Sequence, residues 1–178
     1  MRFNPDVHRR KSIRLKEYDY SENGYFFITI CAQNSQCFFG SISDGNITLN
    51  QAGEIICKVW KDLKERFDNI ILDEYIIMPN HLHAILALKN VGAIPCGCPG
   101  VVNKKRLGDI IGAFKSMTTN EYIKNVNDNN WTPFEKKLWQ RNYHERIIRN
   151  DGELTNIRKY IIENPYRWDD DEENPDKI

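Results

Sequence analysis

Ile70-Ile71-Leu72-Asp73-Glu74-Tyr75-Ile76-Ile77-Met78-Pro79-Asn80-His81-Leu82-His83-Ala84-Ile85-Leu86-Ala87-Leu88 consists of two apolar runs joined by a Pro-Asn pair. Each run has strand length and Pro79-Asn80 is a turn signal, so residues 70–78 and 82–88 read as a β-hairpin. At its second opening stand His81 and His83. Alternate side chains of a strand share a face, so these two imidazoles converge on one point.

The flanking sequence extends the pattern. Residues 25–32 (Tyr-Phe-Phe-Ile-Thr-Ile-Cys-Ala) are aromatic and β-branched, which predicts a buried strand. Residues 37–42 and 47–49 enclose Asp44-Gly45-Asn46, the signal for a small hairpin. Asn50 is a candidate N-cap for a helix to about Phe67, with Ile55, Ile56, Val59, Trp60, Leu63 and Phe67 at helical spacing. Residues 91–103 hold three glycines and two prolines and read as a loop that includes Cys96 and Cys98. Ile110, Ile111, Phe114, Met117 and Tyr122 predict a helix from Leu107 to about Asn125, and residues 125–132 should be a loose polar connection. Residues 138–148 read as a strand. Asn150 and Glu153 then form a capping box for a helix with the stripe Leu154, Ile157 and Ile161, which Pro165 should stop at Asn164. Without the small hairpin and the last helix, the order is βαββαβ. The expected class is therefore α+β, with a ferredoxin-like antiparallel core and a C-terminal helix carrying Tyr160.

The chain has 178 residues, of which 40% are hydrophobic, enough for one core. We expect a single domain over residues 1–168, a basic arm at about 1–20 and an acidic tail at 169–178. No apolar run has the length of a membrane span, no signal-peptide core is visible, and five cysteines suit no disulfide framework. The expected location is the cytoplasm, with no membrane partner. Net charge is zero but unevenly placed. Within residues 1–16, Arg2, Arg9, Arg10, Lys11, Arg14 and Lys16 oppose only Asp6, whereas residues 166–178 carry a balance of −4. A basic arm can contact phosphates, and Tyr18, Tyr20 and Tyr25 can stack on unpaired bases. Two solvated termini would have the same composition. Lys104, Lys105, Arg106 and Lys115 form a second, weaker basic set.

Two features carry chemistry. Two imidazoles and an amide oxygen suit a hard divalent ion such as Mg²⁺ or Mn²⁺ with positions left open for phosphate oxygens. Tyr160 and Asn164 lie one helical turn apart, so a phenol nucleophile and an amide ligand would share one side of the last helix. Alone, an HxH pair is also ordinary strand packing, and Tyr160 an ordinary amphipathic position. Tyr143, beside His144, is the rival nucleophile, although neighbouring strand residues face opposite ways.

Several ordered blocks decide the matter. They are Arg10-Lys11-Ser12-Ile13-Arg14-Leu15, Tyr18-Asp19-Tyr20-Ser21, Met78-Pro79-Asn80-His81-Leu82-His83, Leu107-Gly108-Asp109-Ile110-Ile111, Trp139-Gln140-Arg141-Asn142-Tyr143-His144-Glu145 and Tyr160-Ile161-Ile162-Glu163-Asn164-Pro165. With them the chain resembles, over nearly its whole length, the single-tyrosine HUH transposases, and among these the REP-associated tyrosine transposases. The resemblance implies that His81 and His83 bind the metal, that Asn164 is its third ligand and that Tyr160 is the nucleophile. It implies cleavage of single-stranded DNA beside a hairpin at palindromic repeats, through a 5′-phosphotyrosine and a free 3′-OH. It also implies that the N-terminal segment helps to read the foot of the hairpin, in a monomer or a homodimer. Two other readings stay open: a hairpin-binding protein without catalysis, and a metal hydrolase that uses only the HxH pair.

Overall fold

The computed structural model describes residues 24–89 and 105–177. Four strands form its main sheet: β1 (Gly24–Cys31), β4 (Ile70–Ile77), β5 (His81–Leu88) and β6 (His144–Ile148). Their order is β4-β5-β1-β6, every neighbour antiparallel, which is the ferredoxin-like arrangement expected from the strand pattern. β2 (Gly40–Ser43) and β3 (Asn46–Leu49) make the small separate hairpin. The helices are α1 (Gln51–Arg66), α2 (Leu107–Asn129) and α3 (Asp151–Glu163).

Alternation along the strands divides the core in two. Phe26, Ile28 and Ile30 of β1, with Leu82, Ala84, Leu86 and Leu88 of β5, pack against α1 and α2. On the opposite face Ile85 and Ile148 meet Leu154, Ile157 and Ile161 of α3, with Tyr25, Phe27 and Ile76 partly buried beside them. Fully burying each such aliphatic side chain contributes roughly 1.5–3 kcal/mol. His81 and His83 have the parity of Ile85, so they face α3. Asn50 caps α1 as expected, its side chain accepting the Gly53 N–H. A Cβ on Gly53 would come within 2.1 Å of the Phe39 carbonyl oxygen, so only glycine lets the first turn of α1 close against the hairpin.

Three boundaries and one strand interior differ from expectation. α2 runs on to Asn129, because the asparagines that predicted looseness continue the helix. Asn125 Nδ2 donates to the Glu121 carbonyl at 2.8 Å, Asn129 Nδ2 donates to Asn125 Oδ1 at 2.7 Å, and Asn130 ends the helix in the left-handed region. The strand expected over 138–148 shortens to β6. Trp139 makes an isolated bridge to Ala32 and turns inward, where its indole donates to Thr118 Oγ1 at 2.8 Å. β4 carries an irregularity between Leu72 and Tyr75, which turns Asp73 towards α3. Finally, Pro165 ends α3 but not the coiling. The chain tightens into a 3-10 helix over Asn164–Asp170 that folds back towards the HxH strand. The loop 91–103, with Cys96 and Cys98, lies outside the described residues, as does the basic arm.

Candidate metal and tyrosine site

The site is assembled from two structural sources, the start of β5 and the segment that follows α3. Antiparallel register puts His81 opposite Cys31 and His83 opposite Thr29. Both imidazoles are buried. His83 Nδ1 lies 2.9 Å from Thr29 Oγ1, and His81 Nδ1 lies 2.8 Å from Asn80 Oδ1. Asn80 is itself oriented: its Nδ2 donates to the carbonyls of Ser35 at 3.1 Å and Glu173 at 2.6 Å. Its Oδ1 can then only accept, so His81 carries its proton on Nδ1 and keeps a lone pair on Nε2.

That Nε2 is buried and has no hydrogen-bond partner. The same is true of Asn164 Oδ1. The Asn164 amide is fixed by its other end, Nδ2 donating to Asp171 Oδ2 at 3.1 Å. One ligand atom each of His81, His83 and Asp171 lies within 4.8 Å of the others. Burial without partners is costly for polar atoms, and the group of His81, His83 and Asp171 could hold a metal ion. Two nitrogens and two oxygens are a donor set suited to Mg²⁺ or Mn²⁺ with open positions rather than to a closed thiolate site. Burial pushes both imidazoles down to about 3, and at His83 the neighbouring His81 adds to this. Both are therefore neutral at pH 7, as ligands must be.

Tyr160 stands at the mouth, about a third exposed. Its hydroxyl is 3.4 Å from His83 Nε2, and its ring meets His83 and Phe27 edge-on. Burial first, and then Asp171, hold the phenol above its ordinary pKa, so it is protonated at neutral pH. The helix bearing it is tied to β4 by Arg158, whose Nε and Nη2 donate to Asp73 at 2.8 and 2.5 Å. Trp168 stacks over His81 with ring centroids 6.1 Å apart. Cys31, beside His81, is pushed up to about 12 by burial and then Glu173, so it stays a thiol.

The structure thus brings together His81, His83, Tyr160 and Asn164. Tyr143 packs against the other core, with the Lys115 ammonium 5.6 Å from its ring centre, and so lies on the face opposite the histidines. Lys115 itself donates to the carbonyls of Gln140 and Asn142 at 2.9 and 2.8 Å, and burial lowers it to about 8. This cation of the second basic set is held on backbone oxygens. Tyr25 packs partly buried against the α3 face. Arg9, Arg10, Lys11, Arg14, Lys16, Tyr18 and Tyr20 lie outside the described residues. Asp171, Asn80, Thr29 and Trp168 were not anticipated. Asp171 sits in a run of acids that reads as solvated charge, and only the 3-10 turn after Asn164 carries it inward.

No family model matches the chain. A protein of Haemophilus influenzae, itself uncharacterized, is 35% identical over 180 residues, covering 96% of each chain. Among solved structures, a REP-associated tyrosine transposase bound to a REP hairpin superposes with a TM-score of 0.51 at 17% identity, covering 87% of this chain and 74% of that one. A candidate transposase of Deinococcus radiodurans R1 gives a TM-score of 0.47 at 13% identity, over 86% of this chain and 98% of the other. Among the described residues no helix is long and apolar enough to cross a membrane. The chain belongs to the family of the Haemophilus protein, and its fold is similar to that of the REP-associated tyrosine transposase.

Proposed function

We propose that the protein is a metal-dependent endonuclease and strand transferase for single-stranded DNA, acting beside hairpins of palindromic repeats. One observation carries the reading. His81, His83 and Asp171 each bring a ligand atom within 4.8 Å of the others, His81 Nε2 among the buried atoms without a partner, and the Tyr160 hydroxyl lies 3.4 Å from His83 Nε2; Asn164, whose buried Oδ1 is also unpartnered, is bonded to Asp171 through its Nδ2. His81, His83, Asn164 and Asp171 would hold Mg²⁺ or Mn²⁺. Bound there, such an ion would supply Lewis-acid polarisation of the scissile phosphate.

The chain's own residues do the rest. Tyr160 Oη attacks phosphorus, the bond from phosphorus to the 3′ oxygen breaks, and a 5′-phosphotyrosine forms. The phenol gives up its proton and the departing 3′ oxygen gains one, so the products are the ester and a free 3′-OH. The ester conserves the phosphodiester energy, so rejoining requires no ATP. Phe27 and His83 hold the phenol ring on two sides, which restricts its approach. Arg9, Arg10, Lys11, Arg14 and Lys16 are proposed phosphate contacts, with Tyr18 and Tyr20 as stacking partners for unpaired bases.

The test uses labelled hairpin DNA from the repeats beside the gene, with and without Mn²⁺. The expected product is a metal-dependent, denaturant-resistant protein–DNA adduct that Tyr160→Phe abolishes while still binding DNA. Cleavage that survives Tyr160→Phe would instead identify a hydrolase using the HxH pair. Tight binding with no adduct would identify a binding protein.

A further inference from the structure

Outside the histidine cluster, a cavity of about 680 Å³ opens between the start of α1 and the end of α2. Its walls include the rings of Phe38, Tyr122 and Trp131 and the amides of Gln36, Gln51 and Asn130, and no lining residue is charged. Tyr122 meets Phe38 and Trp131 edge-on, with centroids 5.7 and 5.2 Å apart. The Trp131 indole donates to Gln51 Oε1 at 3.2 Å, which leaves Gln51 Nε2 as a donor. Among the described residues, the side-chain amides of Gln36 and Asn130 have no hydrogen-bond partner.

Flat aromatic walls with mixed donors and acceptors, and without a cation, fit the edge and face of a neutral heterocycle. A phosphate would call for positive charge. The rings of the cavity pack on the α1–α2 face of the sheet, and the loop that lines it continues to the candidate site on the other face. Gln36 follows Ser35, whose carbonyl holds Asn80, the residue that orients His81. Phe39, one residue beyond the lining Phe38, donates its N–H to Pro79 at the same turn.

We infer that this cavity takes one unpaired base of the DNA strand whose phosphodiester lies at Tyr160. The inference rests on the DNA reading above and adds a base-reading pocket to it. Trp131 supplies the stacking surface, and Gln36, Gln51 and Asn130 the edge contacts.

The experiment measures binding rather than cleavage. Tyr160→Phe protein in Mg²⁺ is titrated with a fluorescent DNA hairpin bearing single-stranded flanks from the repeats beside the gene. Each flank position in turn is made abasic. One position should weaken binding roughly five- to a hundredfold when its base is removed, the range expected of base stacking. In the Trp131→Ala protein the same deletion should cost nothing further. Gln36 and Gln51 are exposed, so a Gln36→Ala, Gln51→Ala protein should stay folded and lose its preference among bases at that position. Equal abasic penalties in both proteins at every position would overturn the pocket, even if Tyr160 forms its adduct. A coupled position in a protein that forms no adduct would retain the pocket and remove the nuclease reading. Absence of binding to any flank would remove both.

Discussion

The Nδ1–H of His81 donates to Asn80 Oδ1 at 2.8 Å, and this bond decides which nitrogen of a buried imidazole keeps its lone pair. Asn80 cannot rotate to offer its amino group instead, because that group already meets two carbonyls. Asn80→Leu removes the orienting acceptor and strands those carbonyls. Mn²⁺ affinity should fall roughly ten- to a hundredfold by calorimetry. Urea unfolding should show a loss of about 1–3 kcal/mol for the bared polar groups. Unchanged affinity would mean that Asn80 does not set the tautomer.

Asp171 tests the contribution of the acidic run. Its Oδ2 fixes the Asn164 amide and its Oδ1 accepts the Glu173 N–H. Asp171→Ala therefore removes one oxygen donor and frees the amide bearing another. Affinity for Mn²⁺ should drop roughly ten- to a hundredfold, whereas alanine at the exposed neighbour Asp170 should leave it unchanged. Equal effects of the two substitutions would reduce the role of Asp171 to bulk charge.

The buried histidines set a pH dependence with a definite sign. Unfolded, they protonate near 6.5; folded, burial holds them at about 3. Between these values the unfolded chain binds more protons, so stability is fully present above pH 6.5 and is lost as pH falls towards 3. Asp73, lowered by its hydrogen bond with Arg158, acts with the same sign below its ordinary 3.8. Urea unfolding of the metal-free protein at a series of pH values should show this slope. A His81→Asn, His83→Gln protein should lose the part of it between pH 6.5 and 4.

Arg158 and Asp73 position Tyr160 without touching it, through a two-pronged bond from α3 to β4. Arg158→Ala should slow single-turnover adduct formation roughly ten- to a hundredfold, as small misplacements of a nucleophile do. Mn²⁺ affinity should not change, because no ligand moves. A parallel fall in metal affinity would show that the pair supports the whole site rather than the helix alone.

Most of the fold was legible because local signals agreed with one another. The Pro79-Asn80 turn, the Asn50 cap and the alternation through β1 all point to the observed sheet. The placement of His81 and His83 on one face of β5, and of Tyr160 and Asn164 one turn apart, was legible as well, since these spacings follow the periods of strand and helix. What escaped depended on contacts distant in sequence. Nothing local marks Trp139 as a core residue bonded to Thr118 rather than the middle of a strand. Asp171 differs from Asp169 and Asp170 only through the tight turn after Asn164. Asn125 and Asn129 were read by their general turn preference, and their side chains instead bond along the helix.

The donors at the candidate metal site stand far apart in the chain, the histidines on β5 and the oxygens beyond α3. An unfolded polypeptide holds no such convergence, so an ion bound there is a ligand of the native state alone. It would add about 2.7 kcal/mol of apparent stability at a hundredfold excess over its Kd. Proteolytic turnover of the protein would then follow the supply of free divalent ions, with starvation or chelation exposing the chain to proteases.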